Sequence, residues 1–142
     1  MEQLLQILRE GNFSCVIRRA GAVRTFGRGG IIDLYTLLQE EPEWLRGAEV
    51  ADKIVGKAAA ALMVAGGVKA VATGIISRPA LALLREASIP VDFGQEVDHI
   101  VNRAGTDWCP MERLCAPAAD AAGCLPLIEA FIESHKTMPA GR

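Results

Sequence analysis

Met1, Leu4, Leu5 and Leu8 fall at the i, i+3, i+4, i+7 spacing of one helical face, and Gly11 ends it, so the chain is predicted to open with a short helix. The rhythm then changes. Residues 14–18 and 22–26 read as the arms of a β-hairpin that turns near Ala20-Gly21. A helical pattern resumes at about Ile31 in "IIDLYTLLQEEPEWL" and ends or bends near Pro42. The stretch "GAEVADKIVGKAAAALMVAGG", residues 47–67, is apolar almost all round. With Asp52 as a good N-cap, it predicts a helix from Asp52 to about Ala65, closed by Gly66-Gly67.

Residues 68–73 form a short, nearly all-apolar run between turn signals, as expected of a buried central strand. Ser77-Arg78-Pro79 starts the next helix, with Leu81, Leu84 and Ala87 as its apolar stripe. "IPVDF" is another short strand, and "QEVDHIVNRAG" fits a strand or a turn of helix. A brief helix after Cys109-Pro110 precedes a Pro/Ala/Gly connection. A C-terminal helix then covers 125–136, with Leu127, Ile128, Phe131 and Ile132 inward. Strands alternating with helices imply an α/β fold, a three-layer α/β/α sandwich around a mixed sheet. Residues 1–142 read as one domain, without repeat or linker, and 136–142 as a frayed tail.

Composition narrows the function classes. At 142 residues and 51% apolar, one core suffices without disulfides or metal. Lys plus Arg number 15 against 17 acids, a net charge of −2 that disfavours a dedicated nucleic-acid binder. The longest apolar run, about ten residues, is far short of the ~20 that span a bilayer. The start "MEQLLQ" shows no basic leader, so the expected location is the cytoplasm, with no membrane partner. The four cysteines (Cys15, Cys109, Cys115 and Cys124) lack the spacing of a disulfide framework or a zinc site, so reduced thiols and no metal are expected. His99 and His135 stand alone, and His135 suits the end of a helix. "FGRGGII" is a flexible turn that could also nest an anion beside Arg28.

The predicted helix from Asp52 carries its lysines in the wrong place. Lys53 in the first turn opposes the macrodipole by about 0.3–1 kcal/mol. Lys57, one turn on, adds a like-charge cost of about 0.2–0.5 kcal/mol. Gly56 between them costs a further ~1 kcal/mol and permits a close approach. Choices that are each unfavourable and agree with one another are expected at functional sites. The lysines either receive an external phosphate or carboxylate or pair with internal acids such as Asp33, Asp98 or Glu112. In "NRAGTDWCPMERLC", Cys109 lies at or beside a helix start, where a thiolate is favoured, while Glu112 in the same turn opposes it. Cys109 is therefore either a nucleophile or a half-buried apolar filler.

The residues Ala51-Asp52-Lys53 through Gly56-Lys57-Ala58-Ala59-Ala60, Ser77, and Asn102-Arg103 followed by Cys109-Pro110-Met111-Glu112 resemble those of a family known as domain of unknown function 1893. The resemblance covers roughly residues 10–115 and implies a cytidine-deaminase-like fold with a mixed five-stranded sheet. Zinc deaminases place H-x-E and P-C-x-x-C at two helix starts. The corresponding segments here, Asp52-Lys53-Ile54 and Ser77-Arg78-Pro79-Ala80, hold no such ligands, so zinc-dependent deamination is not implied. The expected site is an edge where two helix N-termini converge. Asp52, Lys53, Lys57, Ser77, Asn102 and Arg103 are expected to bind an anionic small molecule there, a nucleotide or phosphorylated metabolite, with Cys109 and Glu112 as candidate catalytic groups and no cofactor. The alternatives are a non-catalytic scaffold acting through self-association, as a homodimer, or through a protein partner, and a Cys109-dependent thiol enzyme.

Overall fold

A computed structural model describes residues 2–28, 31–102 and 104–136, the last two without their side chains. Its elements run α1 (Glu2–Glu10), β1 (Cys15–Arg19), β2 (Ala22–Phe26), α2 (Ile32–Glu40), a 3₁₀ turn (Pro42–Trp44), β3 (Glu49–Val55), α3 (Lys57–Gly66), β4 (Ala70–Ser77), α4 (Arg78–Glu86), β5 (Val91–Val97), α5 (Pro110–Cys115) and α6 (Ala121–Lys136). The five strands form one mixed sheet in the order β2-β1-β3-β4-β5. β1 runs antiparallel to both β2 and β3, whereas β3, β4 and β5 are parallel. The parallel pairs need crossovers, which α3 and α4 supply.

The hairpin turns where the sequence places it. Ala20 and Gly21 both adopt positive φ, 50° and 83°, the geometry a two-residue loop needs to follow the twist of its strands. Alternation along β1 then divides the molecule into layers. Ile17 faces a large core with Val50, Val71 and Ile76, covered by α2, α3, α4, α5 and α6. Val16 and Ala51 face the other way, against Leu4 and Leu8 of α1.

One element differs in kind from the sequence reading. Asp52 is not a helix cap; it lies inside β3, paired across to Cys15 on β1 and Thr73 on β4. The helix starts five residues later, with Gly56 as N-cap. The reason is burial on both faces. Val50, Ala51, Asp52 and Val55 are all shielded, so the strand lacks the period-two alternation that identifies a half-exposed one. The fifth strand implied by the family resemblance was hidden inside an apparent helix. Elsewhere the departures concern length: β4 extends to Ser77, β5 to Val97, and α6 begins at Ala121. The frayed tail expected from 136 onward lies, beyond Lys136, outside the described residues. Among the described residues no helix is long and apolar enough to cross a membrane.

Candidate functional site

β3 ends at Val55 and the chain turns through Gly56 directly into α3, so the carboxyl end of a central strand meets a helix N-terminus. In open α/β sheets this is where ligands bind. A cavity of about 400 Å³ lies there, lined by Asp52, Lys53 and Ile54 of β3, by Gly56 and Lys57–Ala59 at the start of α3, and by Ile31, Ile100, Cys109, Met111 and Glu112.

The helix start is already occupied by a negative charge. Glu112 is almost fully buried, and its Oε1 accepts the backbone N–H of Lys57 at 2.7 Å. Its Oε2 accepts the N–H of Ile100, also at 2.7 Å. One carboxylate therefore joins α5, the first N–H of α3 and the loop after β5. Gly56 makes room for it, since a Cβ there would stand 3.2 Å from Oε1 and 3.3 Å from Ile100 Cγ1. The close approach expected at Gly56 is that of a side chain, not of another backbone.

The two lysines part company. Lys57 is buried, and its ammonium donates to the carbonyls of Ala118 at 2.6 Å and Ala116 at 3.2 Å, just past the C-terminal end of α5. A cation is favoured there by both the helix dipole and the orphan carbonyls. Lys53 belongs to β3, is exposed, and donates to Asn12 Oδ1 at 2.7 Å. The pair therefore does not stack on one helix face, and the macrodipole penalty expected for Lys53 does not arise. The internal acids weighed as partners lie elsewhere: Asp33 pairs with Arg28, and Asp98 with Arg78. Glu112 does meet Lys57, but at its backbone.

Asp52 is the least compensated charge in the cavity. Only 7% exposed, its carboxyl is pushed up to about 7, chiefly by burial, with the N–H groups of Ile54 and Lys53 pulling down and Asp33 pushing further up. Cys15, directly across the β1–β3 register, is raised by burial and by Asp52 and Asp33. A buried titratable group shifted into the neutral range inside a cleft is a physical marker of a functional site. The first turn of α3 adds donors. Lys57 N–H is held by Glu112 and Ala60 N–H by the Gly56 carbonyl, while those of Ala58 and Ala59 have no acceptor within the helix.

Not every residue expected at the site is brought to it. Ser77 is fully buried and caps α4, its Oγ accepting the N–H of Ala80 at 3.3 Å, and it does not line the cavity. The helix start beside it carries Arg78, paired with Glu96 and Asp98. Asn102 folds its own loop: its Oδ1 accepts the Thr106 N–H at 3.1 Å and its Nδ2 donates to Thr106 Oγ1 at 3.3 Å. The stacked rings of His99 and Trp108, with centroids 3.6 Å apart, brace the same loop, which presents Ile100 and Cys109 to the cavity. Arg103, Gly29 and Gly30 of the Arg28 turn and the side chain of His135 lie outside the described residues. Cys109 lines the cavity from the N-cap of α5. Among the described residues no group of three His, Cys, Asp or Glu is placed to hold a metal ion. Sequence reasoning did not find the apolar walls Ile31, Ile54, Ile100 and Met111, because they converge from four separate segments.

Comparison with known proteins agrees with this architecture. The family model described as domain of unknown function (DUF1893) matches residues 3–132. The crystal structure of a DUF1893 family protein from Thermotoga maritima superposes with a TM-score of 0.82 at 22% identity, covering 91% of this chain and 87% of that one. RibD from Acinetobacter baumannii gives a partial match with a TM-score of 0.45 at 18% identity, over 66% of this chain and 33% of that one. No curated protein matches. With a family match running from α1 to the last turns of α6, the chain belongs to the DUF1893 family.

Proposed function

We propose that the protein binds a small molecule in the cavity between β3 and α3, one with an apolar body and an anionic group, as in a nucleotide or phosphorylated metabolite. The observation that carries this reading is the cavity itself, about 400 Å³ of mostly apolar wall containing a buried, near-neutral-range carboxyl at Asp52. The Ala58 and Ala59 N–H groups and the exposed Lys53 ammonium, whose partner among the described residues is Asn12, support the anionic end. Glu112, with both oxygens already accepting N–H bonds, is assigned to holding α5 and α3 together rather than to proton transfer. The cytidine-deaminase-like scaffold inferred from the family resemblance belongs to the same proposal.

Thermal shift and native mass spectrometry with a panel of nucleotides and sugar phosphates test the reading. At least one compound should raise Tm by several degrees. Ile54→Trp, at a half-exposed wall position, should abolish that shift without unfolding the protein. A panel that leaves Tm unmoved throughout overturns the proposal. A second reading, a thiol enzyme, has one observation in its favour: of the four cysteines only Cys109 lines the cavity, the others being buried. Iodoacetamide should then label Cys109 first, and a ligand that shifts Tm should protect it.

A further inference from the structure

The small-molecule reading leaves open what the ligand presents to the β3 side of the cavity, and the surroundings of Asp52 answer that. We infer that the ligand's buried end is an N–H donor edge, of the amidine, amide or protonated-amine type, which closes on the Asp52 carboxyl, while its anionic group lies toward Ala58, Ala59 and Lys53. The inference rests on the binding proposal above and adds the chemistry of the second end.

Three observations carry it. Neither lysine that lines the cavity forms an ion pair with Asp52 among the described residues: the Lys57 ammonium donates to the Ala116 and Ala118 carbonyls, and that of Lys53 donates to Asn12 from an exposed position. Asp52 is thus a carboxyl about nine-tenths buried that makes no ion pair among the described residues. Its burial cost is met only in part, by backbone N–H groups of its own strand. Next, Glu112 lines the same cavity but both its oxygens already accept backbone N–H groups, which leaves Asp52 as the cavity carboxyl with acceptor capacity for a ligand. A donor placed there meets that free acceptor, whereas an anion meets a carboxylate of its own sign. Finally, the cavity that holds the carboxyl is walled by Ile31, Ile54, Ile100 and Met111, which suit a flat apolar body. In such a site a charge-assisted, two-pronged N–H···O contact is stronger than a neutral one and fixes orientation.

The titratable and charged groups around Asp52 and the cavity are Cys15 on β1, Asp33 on α2, Lys53 on its own strand, Lys57 on α3 and Glu112 on α5, and of these Asp33 is the one whose charge pushes the Asp52 carboxyl up. The first two are not cationic, and Asp33 is already paired with Arg28. A donor ligand is then the group that restores ionised Asp52, so its affinity is linked to pH.

Calorimetric titration of the full chain with benzamidine, benzamide and benzoate tests this, because the three share a ring and differ only at the end offered to Asp52. At pH 8 benzamidine should bind at least tenfold more tightly than benzoate, with benzamide between them. Lowering the pH to 6 should weaken benzamidine about tenfold, as expected when a carboxyl titrating near 7 becomes protonated. Asp52→Asn should remove both the preference and its pH dependence, and circular dichroism should show the variant folded. Benzoate binding as well as benzamidine, or an Asp52→Asn protein that keeps the preference, overturns the donor edge. If all three probes fail while a nucleotide or sugar phosphate still raises Tm, the donor edge falls and the binding proposal stands. If that panel fails too, both fall.

Discussion

The two walls of the cavity each present a buried carboxyl, and the two are held in opposite ways. On the α5 side, Glu112 accepts two backbone N–H groups at 2.7 Å, one from α3 and one from the loop after β5. On the β3 side, Asp52 is similarly buried, but its partners among the described residues are N–H groups of its own strand, and burial pushes it up to about 7. Charge-assisted hydrogen bonds to two separate segments make Glu112 a tie between them. Asp52 ties nothing together, so its retention in a central strand costs stability that local packing does not return. The difference separates a residue that builds the cavity from one that, in the proposed reading, is left to meet a ligand.

Removing Glu112 should have the largest effect. Glu112→Ala strands the Lys57 and Ile100 N–H groups in a buried setting and should cost about 3–6 kcal/mol, read by urea denaturation. Glu112→Gln should recover part of this, since one amide oxygen can still accept. Asp52→Asn should move stability the other way. Burial raises this carboxyl from 3.8 to about 7, so the folded chain holds its proton to higher pH than the unfolded chain does. Stability from this group is therefore complete below about pH 4, falls as pH rises from there to about 7, and is flat beyond. At 1.36 kcal/mol per pKa unit the loss is about 4 kcal/mol, and Asn escapes it. Asp52→Asn should therefore gain about 2–4 kcal/mol at pH 8 and little at pH 4. A loss at pH 8 comparable to that of Glu112→Ala would erase the distinction between the two carboxyls.

The contrast also shows what a sequence carries. The hairpin, α1, the α4 start at Ser77 and the Gly67 cap were legible because each is written locally, in a periodicity, a turn pair or a cap residue. β3 was not, since a strand covered on both faces has no alternation and runs without a break signal into an alanine-rich helix. Lys57 and Gly56 stand out in the sequence, and the reason is one that sequence spacing does not encode. Their partner, Glu112, is 55 residues away and reaches the backbone of Lys57, not its ammonium. Asp52 was picked out as a cap and proved to be a buried strand carboxyl. The residue was visible and its environment was not.

The lysine beneath this clasp gives the next effect. Lys57→Met keeps the apolar stem but leaves the Ala116 and Ala118 carbonyls without their donor, for a loss of about 1–3 kcal/mol in urea. Unchanged or increased stability would mean that the ammonium serves something outside the chain. Gly56→Ala should cost about 1–2 kcal/mol. The new Cβ would lie 3.2 Å from Glu112 Oε1, and that carboxylate, pinned by two short bonds, cannot move aside. Alanine's smaller unfolded-state entropy returns only about 0.4–1 kcal/mol. In a Glu112→Ala background the same substitution should become neutral or stabilising, because its obstacle is gone.

Ser77 gives the smallest effect and the clearest boundary to the site. Its hydroxyl accepts the Ala80 N–H at the third position of α4, and Pro79 between them has no N–H to satisfy. Ser77→Ala removes that acceptor in a fully buried setting, so about 1 kcal/mol of stability should go, toward the lower end of cap losses given the 3.3 Å bond. Because Ser77 does not line the cavity, the variant's affinity for any ligand that shifts the wild-type Tm should be unchanged within twofold. A large affinity loss with stability intact would join the α4 helix start to the binding site and extend it beyond the two walls described here.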